Sequence, residues 1–93
     1  PPTDIAGSQI RAARTFKAQC DAGHTASCYE FGRVLYENLG VEADPLTATY
    51  RWTPACTAGH AASCASLARA YGAGGKLKRD DKKSREYADK ACS

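Results

Sequence analysis

The 93-residue sequence has no methionine and no long hydrophobic run. A membrane-spanning helix needs about 20 mostly apolar residues, and no stretch of this chain approaches that length. No stretch resembles a signal peptide either, and the chain opens with Pro1 and Pro2. The sequence therefore predicts no membrane span, and we expect it to be a mature or trimmed fragment.

The common catalytic motifs are also missing from the sequence. No lysine follows a serine by three residues, so the Ser-x-x-Lys arrangement of serine acyl-enzymes does not occur. The sequence contains no His-Glu-x-x-His, no phosphate-binding glycine motif, and no pair of carboxylates that recurs with a histidine. We therefore predict that the chain is not an enzyme and needs no cofactor.

The net charge of +3 is modest, and the excess of basic residues is confined to one end of the chain. Residues 1–75 have equal numbers of acidic and basic side chains, whereas basic side chains predominate in residues 76–93. These bases lack the interleaved series of aromatic residues that a nucleic-acid stacking platform requires. The mixed charges favour a solvated helix face, and we predict no nucleic-acid binding.

Cysteine, in contrast, is abundant and periodic, with five in the chain. The segment CDAGHTASC at residues 20–28 returns 36 residues later as CTAGHAASC at residues 56–64, and Cys92 stands 36 residues after Cys56. A fixed period of this length indicates small supersecondary units that stack on their neighbours. The sequence therefore predicts a tandem repeat.

Helix signals follow the same period. Ser8, Asp44 and Asp80 are 36 residues apart, and each is a type that caps a helix start. Gly23 and Gly59 provide the left-handed turns at which helices commonly end. We predict an all-α fold, an αα-hairpin repeat solenoid of about five helices, over residues 9–21, 25–37, 45–57, 61–71 and 81–92.

This fold corresponds to a single domain over residues 1–93. We expect repeat 1 at residues 8–43, repeat 2 at 44–79, and the first helix of an incomplete third repeat at 80–93. Pro54 should bend the third helix because it removes a helical hydrogen bond.

Apolar residues on the predicted helices recur at steps of three and four, which is typical of a buried face. On the first and third helices, the residues of this face are 36 positions apart in sequence. A second set of residues, on the second and fourth helices, has the same spacing and should pack against the first set. The first set is Ala12, Phe16, Gln19 and Cys20 with Ala48, Trp52, Ala55 and Cys56, and the second is Phe31 with Leu67 and Leu35 with Tyr71.

The cysteine positions predict disulfides within each helix pair. A glycine turn separates Cys20 from Cys28 and Cys56 from Cys64, so we predict the pairs Cys20–Cys28 and Cys56–Cys64. By the chain-entropy estimate each bridge contributes about 2.5 kcal/mol to stability. Disulfides at this density indicate an oxidising compartment.

Cys92 has no predicted partner, since the matching position would lie beyond the last residue. Either it belongs to a truncated third repeat, or it forms an intermolecular bridge or is a reactive thiol. We expect a monomer, with a Cys92-linked dimer as the alternative. Zinc is the rival use of the other cysteines, because Cys20, His24 and Cys28 are three plausible ligands. A structural zinc site needs four, so we predict no metal.

The repeat resembles Sel1-like repeats, and is most similar to the cysteine-rich subgroup typified by the Helicobacter cysteine-rich proteins. The resemblance lies in the Ala-Gly-x-x-x-Ser-Cys segments, in LYENLGVEAD at residues 35–44, and in YADKAC at residues 87–92. It implies secreted or periplasmic αα-repeats with one disulfide each and a curved surface that binds macromolecules. Mitochondrial intermembrane-space repeat proteins are the alternative relatives.

These observations favour a secreted or periplasmic adaptor that binds another protein or a peptide. In related repeats the first helix of each unit lines the concave face, so the candidate binding residues are Arg14, Lys17, Tyr50 and Arg51. Trp52 aligns with Phe16 on the apolar face and is expected in the core. The alternatives are an immunity or inhibitor protein, and the β-lactam binding or hydrolysis that the cysteine-rich relatives imply.

Overall fold

The computed structural model describes residues 5–92 and has an all-α fold. Within this range there are five helices and no strand, and the first four residues and Ser93 of the predicted domain lie outside it. The helices are α1 (Ile5–Asp21), α2 (Thr25–Glu37), α3 (Pro45–Thr57), α4 (Ala61–Tyr71) and α5 (Asp81–Cys92). The prediction of five helices is confirmed, and α2 to α5 have the predicted bounds.

Two of the three predicted helix caps are confirmed, and one is wrong. The Asp44 carboxylate accepts a hydrogen bond from Thr47 N at 3.1 Å, and the Asp80 carboxylate accepts one from Lys83 N at 3.1 Å. Ser8 instead lies inside α1, which begins three residues earlier. Its hydroxyl oxygen accepts a hydrogen bond from the Arg11 guanidinium at 3.2 Å. The side chain therefore bonds to another side chain of the same helix and does not cap a helix start.

The turns after α1 and α3 have the same backbone geometry. Gly23 and Gly59 adopt left-handed φ angles of 97° and 95°. The amides of Gly23 and His24 donate to the carbonyl oxygens of Cys20 and Gln19, which closes the end of α1 in a Schellman motif. Gly59 repeats these bonds at the end of α3. Each turn therefore brings the next helix back beside the one before it.

Both predicted disulfides are confirmed. The Cα atoms of Cys20 and Cys28 are 4.5 Å apart, and those of Cys56 and Cys64 are 4.8 Å apart. Cys92 is exposed and has no disulfide partner among residues 5–92. Two intramolecular bridges are compatible with an extracellular or other oxidising compartment.

The core forms around the Trp52 side chain, which is 2% exposed. Its indole Nε1 donates to the carbonyl oxygen of Tyr29 at 3.0 Å, so the buried polar atom is paired. The prediction that Trp52 belongs to the core is confirmed. The buried cluster also contains Phe31, Leu35, Ala48, Cys56, Cys64, Leu67 and Ala70, with Tyr71 packed against it.

The predicted buried face is correct on α3 and partly wrong on α1. All four α3 positions are buried, whereas Ala12 and Gln19 of α1 are exposed and Phe16 is half-buried. Ala13, at 1% exposure, is buried instead of Ala12. The physical reason is position: α3 packs between α2 and α4, whereas α1 packs mainly on α2.

Each helix packs against the next along the chain, in an elongated body of 46 × 28 × 18 Å. Helix α2 begins at Thr25 and α4 at Ala61, so the period of 36 residues appears in the helix starts. Helix α3 continues through Pro54 to Thr57. Within residues 5–92, no helix has the length and apolar character that crossing a bilayer requires.

Candidate protein-binding groove

A groove of about 390 Å³ lies between the α1–α2 turn and α3. The Schellman turn forms one wall, and the exposed side of α3 forms the other. Apolar and sulfur-containing side chains dominate its surface. The residues that line it are Cys20, Gly23, Thr25, Cys28, Tyr50, Arg51, Pro54 and Ala55.

Arg51 is one of the lining residues and is held by three contacts. Its Nη1 donates to Asp21 Oδ1 at 2.6 Å, which joins α3 to the end of α1. The guanidinium lies 4.8 Å from the centroid of the Phe31 ring, a cation–π distance. The same Nη1 is 3.5 Å from Cys20 Sγ. Arg51 therefore has a fixed orientation beside the disulfide.

The Asp21 carboxylate binds two basic side chains at or near the groove. It accepts from Arg51 and also from Lys17 Nζ at 3.0 Å. The hydrogen bond from Arg51, followed by that from Lys17, holds the pKa of Asp21 below its usual 3.8. The carboxylate is therefore ionised at neutral pH. Sequence reasoning missed this residue, although its spacing of four from Lys17 was a signal.

Tyr50 forms the exposed rim of the groove, with 65% of its surface accessible. Leu46, one turn earlier on α3, is 52% exposed and continues this apolar edge. Pro54 lies one turn later and has no N–H, so the Tyr50 carbonyl oxygen lacks its usual helical donor. The exposed rim is therefore mainly apolar.

The structure brings together three of the four predicted binding residues. Lys17 and Arg51 share the Asp21 carboxylate, and Tyr50 lines the groove beside Arg51. Arg14 is exposed on α1, three residues before Lys17, but it is not part of the groove lining. Their role in binding remains a prediction.

The two histidines occupy helix-entry positions. His24 and His60 are the N-cap residues of α2 and α4. His60 Nδ1 accepts from Ser63 N at 3.2 Å, and its ring lies 5.2 Å from that of Tyr29. No cluster of three or more His, Cys, Asp or Glu side chains within residues 5–92 is arranged to hold a metal ion.

A second groove, of about 590 Å³, lies between the ends of α2 and α4 and the glycine-rich loop that follows α4. Lys76 fastens this loop to α2: its amide donates to Tyr36 Oη at 2.8 Å, and its Nζ lies 4.7 Å from the centroid of the Tyr36 ring. Glu37 adds a weak ion pair to Lys76 at 3.9 Å. No pattern in the sequence indicated this attachment.

No protein-family model matches the chain, and no curated protein matches it significantly. The resemblance to Sel1-like repeats therefore remains a prediction from the quoted segments.

Proposed function

We propose that this chain is a secreted or periplasmic interaction module, a short Sel1-like helical solenoid that binds another protein through the groove between α1 and α3. The partner we propose is an exposed peptide segment that combines an apolar side chain with carboxylates. The observation that carries the proposal is the exposed apolar pair Leu46 and Tyr50 on α3, with Tyr50 lining a groove whose volume of about 390 Å³ falls within the range of ligand-binding clefts.

The distribution of exposed apolar side chains supports this proposal. The large exposed hydrophobic residues among those described are Ile10, Leu46 and Tyr50. Ile10 and Leu46 are one repeat period apart, and Tyr50 lies one helical turn beyond Leu46. Single exposed apolar residues are ordinary, but Leu46 and Tyr50 lie one turn apart on the exposed side of α3, and this adjacency favours a binding surface.

Charge supports an acidic partner. Helices α1 and α3, which border the groove, contain Arg11, Arg14, Lys17 and Arg51 but only one carboxylate, Asp21. Complementary charge speeds encounter and selects among partners more than it adds affinity. Tyrosine and arginine side chains are also the types that contribute most to interface energy.

The rigidity of the groove also favours binding. The Cys20–Cys28 disulfide and its glycine turn fix one wall, and the bond to Asp21 holds the side chain of Arg51 in place. A preorganised surface loses less conformational entropy when a partner binds. The disulfides therefore have a functional consequence in addition to their contribution to stability.

A library of random peptides displayed on phage tests this proposal. We expect selection on the oxidised protein to enrich peptides with acidic residues around an apolar or aromatic one. Fluorescence anisotropy with an enriched peptide should give at least about 10-fold weaker binding for Tyr50→Ala, which removes a central aromatic contact. The melting temperature should remain nearly unchanged, because this side chain is exposed.

Glu86→Ala is the matched control, because Glu86 lies one period after Tyr50 on α5, outside the groove, and is also exposed. Its affinity for the enriched peptides should equal that of the wild type. The proposal fails if no sequence is enriched, or if the enriched peptides bind Tyr50→Ala and the wild type equally.

A further inference from the structure

The two disulfides close equal loops but have different surroundings. Cys20–Cys28 lines the groove, and Cys28 is only half-buried. Cys56 and Cys64 lie in the core, with exposures of 5% and 2%. An external thiol can therefore approach the first bridge through the groove, whereas the second is shielded by packed side chains.

The side chains near the two bridges also differ in charge. Arg51 Nη1 is 3.5 Å from Cys20 Sγ, and the bond to Asp21 holds the guanidinium in place. One period later the position of Arg51 is occupied by Tyr87, whose ring stacks on Tyr71 with centroids 6.2 Å apart. The first bridge thus has a fixed positive charge where the second has an aromatic contact.

We propose that Cys20–Cys28 is a thiol–disulfide exchange site that accepts a cysteine thiolate from a partner or a small thiol, and that Cys56–Cys64 is purely structural. The inference depends on the sulfur surroundings and does not require the groove to bind a peptide. It adds a covalent mode of capture at the same surface.

In the exchange, the incoming thiolate attacks the Sγ of Cys28, which is the more exposed residue of the pair. A new S–S bond forms to Cys28 while the old bond breaks, and its electron pair stays on Cys20 Sγ. Cys20 leaves as a thiolate beside the Arg51 guanidinium. One disulfide replaces another, so there is no net oxidation. A sulfur whose anion is stabilised is the better leaving group.

Reduced glutathione is a suitable probe of the full chain in a Cys92→Ser background, which removes the remaining thiol. Samples are quenched with N-ethylmaleimide at intervals, and modified cysteines are located by mass spectrometry. We expect glutathione on Cys28 and the alkyl group on Cys20, with the first bridge opening at least about 10-fold faster than Cys56–Cys64, since thiol exchange depends on access and leaving group.

Two variants separate the charge of Arg51 from its structural role. Arg51→Gln removes the guanidinium beside Cys20 and should slow glutathione attack several-fold, without changing the rate at Cys56–Cys64. Asp21→Asn removes the negative charge but keeps the guanidinium and an oxygen that accepts its hydrogen bond, so the rate should be at least that of the wild type. If the ion pair served only to stabilise the structure, both variants would change the rate of glutathione attack on Cys20–Cys28 in the same direction.

Besides a shift of both variants in the same direction, three results would overturn the inference. The first is equal opening rates of the two bridges, which would indicate exchange after global unfolding. The second is glutathione on Cys20 with Cys28 alkylated, which would reverse the direction of attack. The third is an unchanged rate at Cys20–Cys28 in the Arg51→Gln variant.

Discussion

Gly32 and Trp52 show how single residues determine the approach of two helices. A Cβ atom at Gly32 would lie well inside contact distance of the indole ring, so only glycine leaves room for the tryptophan. One period later the same two positions are Ala68 and Ala88, which are both small. The sequence indicated that Trp52 belongs to the core, but its partner became identifiable only from the packing.

Gly32→Ala should destabilise the protein even though alanine favours helix formation. Overpacking a well-packed core costs about 1–3 kcal/mol. The better helix propensity of alanine offsets this by at most ~1 kcal/mol. We expect a lower free energy of unfolding in urea, because the Trp52 ring is buried and its Nε1 is bonded to Tyr29.

Ala68→Gly is the matched control for that experiment. It changes helix propensity at the equivalent position of α4, where no tryptophan is opposed, and should cost about 1 kcal/mol. A Gly32→Ala protein as stable as the wild type would show that the Trp52 ring moves without cost, contrary to the account.

Helix starts show how far the sequence determines single elements. For α3, the cap Asp44 and the first-turn Pro45 agree, and the predicted start is confirmed. For α1, Ser8 has the right spacing and chemistry but lies inside the helix. A capping residue satisfies free amides where a helix begins, but it does not stop helical residues before it from joining. The period alone therefore misplaced this boundary.

Asp44→Ala should lower the melting temperature, whereas Ser8→Ala should leave it nearly unchanged. The Asp44 side chain accepts from both the amide and the hydroxyl of Thr47, at 3.1 and 2.7 Å, and alanine would leave this amide without its acceptor. Circular dichroism melts of the two variants measure the difference. Equal melting temperatures would contradict the assignment of Asp44 as the cap of α3.

The same cap predicts a pH dependence. Hydrogen bonds from the Thr47 hydroxyl and then its amide hold the pKa of Asp44 below its usual 3.8. The stabilisation is therefore complete above about pH 3.8 and is lost as the pH falls through the lower pKa of the folded state. Asp44→Asn retains an acceptor without titrating, so its melting temperature should fall less steeply in acid. Parallel curves for variant and wild type would contradict this.

In the whole molecule, helices with the same sequence pattern are packed by their neighbours to different extents. Helices α1 and α3 share the repeat pattern, but α3 packs on both sides and α1 mainly on one. Gln19 is consequently exposed, whereas the equivalent Ala55 is buried. The groove also depends on how the helices pack, because Arg51 and Asp21 meet only when α3 packs beside the turn between α1 and α2. A periodic sequence predicts the elements but not their neighbours.

Removing the two disulfides separately should cost different amounts. Both close loops with a sequence separation of 8, so the chain-entropy contribution is about 2.5 kcal/mol for each. Cys56→Ala with Cys64→Ala also removes sulfur atoms from the core and leaves a cavity. We expect this double variant to unfold at lower urea concentration than Cys20→Ala with Cys28→Ala. The reverse order would contradict the assignment of the second bridge to the core.

The central claim is that each glycine turn is closed by its own disulfide, which fixes the helix pairs and the groove beside the first one. Mass mapping of the non-reduced, alkylated protein tests this most directly. The account predicts fragments containing residues 20–28 and 56–64 that are each two hydrogen masses lighter than their reduced forms, with Cys92 alkylated. A bridge joining a cysteine of the first segment to one of the second, or alkylation of all five cysteines without reductant, would contradict it.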